Sequence, residues 1–238
     1  MRRRFIADTW TSTTATLTGD QAAHLARVLR AETGQIYDIV AGGFLHRAEI
    51  ASVREDEVVF TLHEELEANA ALPVHLLLAV FKFDRFEWAV EKATELGVGG
   101  ITPILARRTE KHLAMAASKR VERWRKIALE ASKQSRRTDV PSIGDPAPLK
   151  LALEEQTAST RILLSETEQE VSLRSALQAE APLSGLALAI GPEGGWTAEE
   201  MGLFTAHEWR HVTLGPRILR AETAAIAAIA IASTHIEQ

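Results

Sequence analysis

Near residue 72 the hydrophobic pattern of this chain changes its period, and no single regular architecture accommodates both halves. Up to Leu72 the apolar residues fall in short β-like runs: a stretch around Arg4 to Ala7, then QIYDIV, FLHRAEIASV and EVVFTLHEEL, with Gly42 and Gly43 as a turn. One helical piece, DQAAHLARVLR, interrupts them. From LPVHLLLAVF onward, apolar strands alternate with longer helical stretches, the pattern of a mostly parallel sheet covered by helices. A small β-rich domain over residues 1–72 and an α/β domain over 73–238 are therefore expected, with the boundary between Asn69 and Pro73.

In the second part the expected strands are VHLLLAVF, GGITPILA, TRILLSE, LSGLALAIG and RHVTLG. The expected helices are DRFEWAVEKATELG, a stretch over about residues 117–135, SLRSALQAE, TAEEMGLFTAHE and a long last helix from about Glu222. That last helix is apolar nearly all round, with a core face read as Ala224, Ile226, Ala227, Ala230 and Ile231. Such a helix must be buried, inside the domain or against another subunit.

Two turns in this part carry chemistry. In IGPEGGWTAEE a buried run ends in Ile190, and a helix starts at Thr197, whose spacing to Glu200 forms a capping box. Gly191, Gly194 and Gly195 between them admit a ligand to main-chain N–H groups, Pro192 stiffens the turn, and Glu193 is its only charged side chain. A strand-to-helix turn of this kind lies where open α/β sheets bind ligands. It matches neither the dinucleotide fingerprint nor the P-loop, and taken alone it is equally a tight connection without a ligand. In LGPRILRAETA, Leu214 ends a strand, Gly215 and Pro216 break it, and Arg217 and Arg220 flank Ile218 and Leu219.

Composition removes several classes. The 238 residues include no cysteine, which excludes disulfides, thiolate metal sites and cysteine nucleophiles and suits a reducing compartment. No apolar stretch long enough for a secretory signal follows MRRRFIADTW, and AAIAAIAIA is too short to span a bilayer, so a cytoplasmic location is expected. No metal-ligand cluster stands out, and no metal is expected. The net charge is −5, yet residues 82–139 hold 14 basic and 8 acidic residues while both flanks are acidic. That asymmetry points to an anionic partner more than the net charge does.

Five blocks, in order, resemble one family. HLARVLRAETGQIYDI, FKFDRFEWAVEKATELGVGGITPI, RWRKIALEASKQSRR, GPEGG and LGPRILRAETA are similar to the motifs of the RsmE family, in the SPOUT class of S-adenosylmethionine-dependent methyltransferases. The resemblance implies methylation of N3 of a specific uridine in 16S ribosomal RNA of the small ribosomal subunit. It also implies a PUA-like β-barrel before the SPOUT domain, a deep trefoil knot formed by the last three strands and their loops, and a homodimer.

On that resemblance the cofactor, S-adenosylmethionine, would be held by three loops. Their residues are Leu164 and Glu166; Ile190, Gly191, Pro192, Gly194 and Gly195; and Leu214, Gly215, Ile218, Leu219 and Thr223. Deprotonation of uridine N3 leaves an imide charge on O2 and O4, for which Arg220 is the expected donor; Glu193 either accepts the proton or orders the loop. RNA would be gripped by Arg2, Arg3, Arg4, Arg27 and Arg30 from the first domain, and by Lys82, Arg85, Arg107, Arg108 and Arg137 from the second. Two rival readings remain: a knotted enzyme that methylates ribose 2′-hydroxyls on transfer or ribosomal RNA, and an RNA-binding module without catalysis.

Overall fold

The structure is a computed structural model that describes residues 4–68, 71–179 and 184–236. Arg2 and Arg3 lie outside the described residues. The chain divides into two compact units, one of Met1–Ala70 with Ser132–Asp139, the other of Ala71–Ala131 and Val140–Gln238. Among the described residues no helix is long and apolar enough to cross a membrane.

In the first unit, β1 (Arg4–Ile6), β2 (Thr9–Trp10), β3 (Thr14–Thr18), β4 (Ile36–Ala41), β5 (Phe44–Val53) and β6 (Glu57–Leu66) form a sheet in the order β1-β4-β5-β6-β3-β2. β1 and β2 are one extended stretch bent at Ala7 and Asp8. Ala7 N–H still bonds to Val40 on β4, while Asp8 N–H bonds to Thr16 on β3, so one segment runs along both ends of the sheet. The Asp8 carboxylate fixes the bend by accepting from Thr18 N–H at 2.7 Å. β2 and β3 escape the sequence reading because TWTSTTATLT offers few apolar residues to mark an alternation. The predicted helical piece is a short α1 (Gly19–Ala23) followed by a π-helical turn, His24–Val28.

The second unit holds β7 (Val74–Ala79), α2 (Phe83–Glu95), β8 (Gly100–Leu105), α3 (Lys111–Ala117), α4 (Val121–Ser135), β9 (Ser142–Ile143), β10 (Ala147–Pro148), α5 (Leu149–Glu154), β11 (Thr160–Leu164), α6 (Leu173–Ala179), β12 (Leu186–Ile190), α7 (Ala198–Ala206), β13 (Arg210–Val212) and α8 (Ala221–Ile236). The last residues of α4 are grouped with the first unit. The expected helix over about 117–135 is α4, entered through a 3-10 turn at Ser118–Arg120 from α3, a helix the sequence reading did not include.

All seven strands are parallel, in the order β10-β8-β7-β12-β11-β13, with β9 also paired to β8. Both faces are apolar, as a doubly covered parallel sheet requires. Leu76, Leu78, Leu188 and Ile190 face a core shared with α2, α6 and α8, while Leu77, Leu163, Ala187 and Ala189 face one shared with α5 and α7. At the amino ends of the strands, His75 Nε2 and Thr102 Oγ1 lie 2.8 Å apart, and burial lowers the His75 pKa.

The last helix corrects the sequence reading. Its buried face is Ala221, Glu222, Ala225, Ala228, Ile229 and Ala232, and none of Ala224, Ile226, Ala227, Ala230 and Ile231 is on it: all five are only half-buried. A helix apolar on all sides leaves its phase undetermined, and the charge of Glu222 argues for the wrong one.

Candidate functional site

The carboxyl ends of three adjacent strands, β12, β11 and β13, open into one cavity of about 840 Å³. Its walls are the segments after those strands: 164–172, 190–196 and 213–221, with Arg85, Met201 and Ala224 between them. Each segment is fastened before any ligand arrives. In the first, Ser165 N–H bonds to Val212 C=O, and the Glu168 carboxylate accepts from the N–H groups of Glu170 and Val171 at 2.8 and 3.1 Å. Those backbone bonds, Val171 foremost, hold the Glu168 carboxyl below its usual pKa.

The second segment is a β-turn closed by Gly195 N–H to Pro192 C=O at 2.8 Å. Gly195 has φ +71°, and a Cβ there would stand 3.1 Å from Glu166 Oε1; one on Gly191 would stand 3.0 Å from the Trp196 indole nitrogen. Side chains at these positions would therefore be strained or would displace the cavity wall. The turn is braced from β8. Arg108 Nη1 donates to Gly194 C=O at 2.6 Å, and Arg107 N–H donates at 2.8 Å to Glu200, which also accepts from Thr197 N–H in the expected capping box.

In the third segment, Thr213 exchanges backbone bonds with Val171 and Leu173, Gly215 has φ +115°, and Ile218 stands 83% exposed at the lip. Glu193 is not free in its turn: it forms an ion pair with Arg85, which also lies 3.9 Å from the buried carboxylate of Glu222. Among the described residues Glu222 Oε2 has no hydrogen-bond partner, and neither has the buried Trp196 Nε1 on the cavity wall.

The cavity brings together Leu164, Glu166, Ile190, Gly191, Pro192, Gly195, Leu214, Gly215, Ile218 and Leu219, and with them Glu193 and Arg220. Gly194 and Thr223 do not line it; Gly194 backs onto Arg108, and Thr223 is exposed on α8. Of the basic residues, Lys82, Arg107 and Arg108 lie outside it, whereas Arg85 is on the cavity wall. In the first unit, Arg27 pairs with Glu55, Arg4 donates to Arg136 C=O, and Arg30 has φ +49°. Arg137 is turned inward onto Asp139, its side chain only 8% exposed.

Arg85, Trp196 and Glu222 are absent from the residues read as cofactor-binding or catalytic. Arg85 has a usable signal: it stands in the first turn of a helix that follows the carboxyl end of β7, the end of the sheet where ligands bind.

Residues 68–233 match the family model of an RNA methyltransferase domain. The chain is 34% identical over 233 residues to ribosomal RNA small subunit methyltransferase E of Bacillus subtilis, covering 94% of this chain and 91% of that one. The chain belongs to the ribosomal RNA small subunit methyltransferase E family. A second member, from Synechocystis, is 34% identical over 229 residues, covering 94% of this chain and 74% of its own. Among solved structures, the family's enzyme from Neisseria gonorrhoeae bound to S-adenosyl methionine superposes with a TM-score of 0.83 at 29% identity, covering 98% of both chains. A putative methyltransferase from Legionella pneumophila in complex with the same cofactor gives 0.82 at 28% identity, also with 98% of both chains. Membership makes this an RNA methyltransferase, with ribosomal RNA as the family's substrate.

Proposed function

We propose that the chain transfers a methyl group from S-adenosylmethionine to N3 of a specific uridine in 16S ribosomal RNA of the small ribosomal subunit. The observation that carries this reading is the single cavity in which the glycine turn meets segment 213–221. Its residues suit the cofactor: Gly191 and Gly195 leave backbone room that a Cβ would fill, Ile218 offers an apolar cover, and Trp196 Nε1 is a donor with no acceptor among the described residues. When bound, the cofactor supplies an electrophilic methyl group.

The chain's own contribution is placement and charge. Arg220, exposed on the cavity wall, donates to the O2 or O4 that takes up charge as N3 loses its proton. Glu193 orders the turn through Arg85, a role its ion pair favours over proton acceptance. In the first unit, Arg4, Arg27 and Arg30 hold phosphate; Lys82, Arg107 and Arg108 do so from the second, where Arg108 also braces the turn. Arg137, engaged by Asp139, is left out of that set.

The finer architecture belongs to the same reading. A PUA-like barrel fits a sheet whose two ends share one strand segment, and a trefoil knot fits Thr213 tied to Val171 and Leu173 before α8 packs on α2, α6 and β12. The half-buried apolar residues of α8, among them Ile226 and Ile231, support a homodimer, which light scattering at micromolar concentration checks. A ribosomal substrate implies a cytoplasmic enzyme.

The deciding experiment incubates under-methylated small subunits with the protein and cofactor carrying a labelled methyl group, then digests the RNA to nucleosides. Label in N3-methyluridine is expected. Label in a 2′-O-methylated nucleoside would transfer the chain to the ribose-methylating reading, and RNA binding without label would make it a binding module.

A further inference from the structure

The charged groups of the large cavity are sorted by segment. Its carboxylates, Glu166, Glu168, Glu170 and Glu193, all lie on the segments after β11 and β12, whereas the segment after β13 contributes two arginines and no acid. Part of the acidic charge is already answered, since Glu193 pairs with Arg85 and Glu168 accepts from backbone N–H groups. The two arginines stand differently. Arg217 and Arg220 are both exposed on the wall, and among the described residues neither guanidinium has an ion pair or a hydrogen bond.

A cavity divided in this way suits two reactants of opposite charge. The sulfonium cofactor is a cation, and a uridine that has lost its N3 proton is an anion. That anion carries its charge on two oxygens, O2 and O4, one on each side of N3, and a single arginine answers only one of them. The chain supplies a second three residues away. Gly215, at φ +115°, and Pro216 turn the backbone out of line with β13, and Arg217 to Arg220 then run along the cavity wall before α8 begins at Ala221.

A guanidinium only donates. Uracil offers an acceptor on both flanks of N3, whereas cytosine carries an amino group, itself a donor, in the place of O4. Two arginines therefore stabilise the uridine anion and also reject cytidine, whose amino group would meet a donor in place of an acceptor.

We propose that Arg217 is the second imide donor: it takes whichever of O2 and O4 Arg220 leaves, and in doing so sets the preference for uridine. This rests on the proposed function in taking uridine N3 as the target. N3 releases its proton to solvent and keeps the electron pair, that pair forms the bond to the methyl carbon, and the pair of the broken C–S bond stays on sulfur. Arg217 neither gains nor loses a proton.

The test measures single-turnover methyl transfer to under-methylated small subunits across a range of pH, with wild-type protein, Arg217→Gln and the charge-keeping Arg217→Lys. A cation beside O2 or O4 lowers the pH at which the bound uridine loses its N3 proton, so removal of Arg217 raises it. Arg217→Gln is expected to be about tenfold or more slower at neutral pH, with the rising limb of its profile displaced upward by about one pH unit. The other charged groups that line the cavity, Glu166, Glu168, Glu170, Glu193, Arg85 and Arg220, are the same in all three proteins, so the difference between profiles belongs to residue 217. Arg217→Lys should recover most of the displacement, and subunits carrying 5-fluorouridine, a more acidic imide, should recover part of the rate lost in Arg217→Gln. Calorimetric affinity for S-adenosylmethionine and the salt dependence of RNA binding should change little. An undisplaced profile with weaker RNA binding and a flatter salt slope would make Arg217 a phosphate contact, and an equal loss of cofactor affinity would make it a cofactor contact; either overturns the assignment. If wild-type protein forms N3-methyluridine and Arg217→Gln matches its rate and profile, only Arg217 falls; if wild-type protein forms none, the functional reading falls with it.

Discussion

The backbone N–H of Arg107, just beyond β8, donates at 2.8 Å to the buried carboxylate of Glu200, whose other oxygen caps the start of α7. One side chain therefore ties two strand-end loops together and sets where the glycine turn ends. Glu200→Ala should lower stability by about 2 kcal/mol, from a weakened cap and two N–H groups left without their acceptor. Urea midpoints measure this, and cofactor affinity should fall with them; a variant as stable as wild type would show that the tie is solvated rather than buried.

Gly195 combines φ +71° with a Cβ position 3.1 Å from Glu166 Oε1. Gly195→Trp should fill the turn and abolish S-adenosylmethionine binding in calorimetry, with the circular dichroism of the folded protein retained. Wild-type affinity in that variant would remove the turn from the cofactor site.

Removal of Arg85 leaves the carboxylate of Glu222, 4% exposed, without its nearest cation. Arg85→Ala should cost about 2 kcal/mol, below the usual figure for breaking a buried pair because Arg85 is itself partly exposed. Glu222→Gln introduced in the same chain should restore part of that loss. Simple additivity of the two changes would argue against coupling between them.

The role proposed for Arg220 predicts that chemistry and binding separate. Arg220→Ala should slow methyl transfer to small subunits by about 10² while RNA affinity changes little, the scale of losing one well-placed donor. Full activity would leave the imide charge to another group.

Burial lowers the pKa of His75 below its ordinary value of 6.5, so the folded state favours its neutral form. The unfolded chain takes up a proton first as the solution is acidified. Stability is therefore full above about pH 6.5 and declines as the pH falls below it toward the folded-state value. His75→Gln, which keeps a partner for Thr102, should lack this component; parallel pH–stability curves for the two proteins would refute it.

The sequence shows the site better than it shows the surroundings. Gly191, Gly195, Thr197 and Glu200 signal themselves through short-range rules of turn and cap chemistry, and the structure gives the expected capping box. Arg85 signals itself only as a first-turn residue of the helix after β7; that it meets Glu193 and Glu222 is a long-range outcome that no local spacing encodes. The buried face of α8 escapes pattern reading because alanine and isoleucine on every side satisfy any phase, and α3 escapes it because KHLAMAA is too short to establish a period. Arg137 is indistinguishable in sequence from its arginine neighbours, and only the fold shows Asp139 drawing it inward.

The bend at Ala7 and Asp8 has a consequence for how the β-rich unit survives at high concentration. A flat sheet with two open margins is a template for aggregation, because unpaired N–H and C=O groups recruit strands from other molecules. Here one short segment pairs along both margins, on β4 through Arg4–Ile6 and on β3 through Thr9–Trp10, so that each margin ends in a strand of only two or three residues. The protection at β3 is concentrated in one place: Asp8→Pro, which removes both the N–H that bonds to Thr16 and the carboxylate latch to Thr18, would loosen β2 from β3 and leave that margin prone to strand exchange.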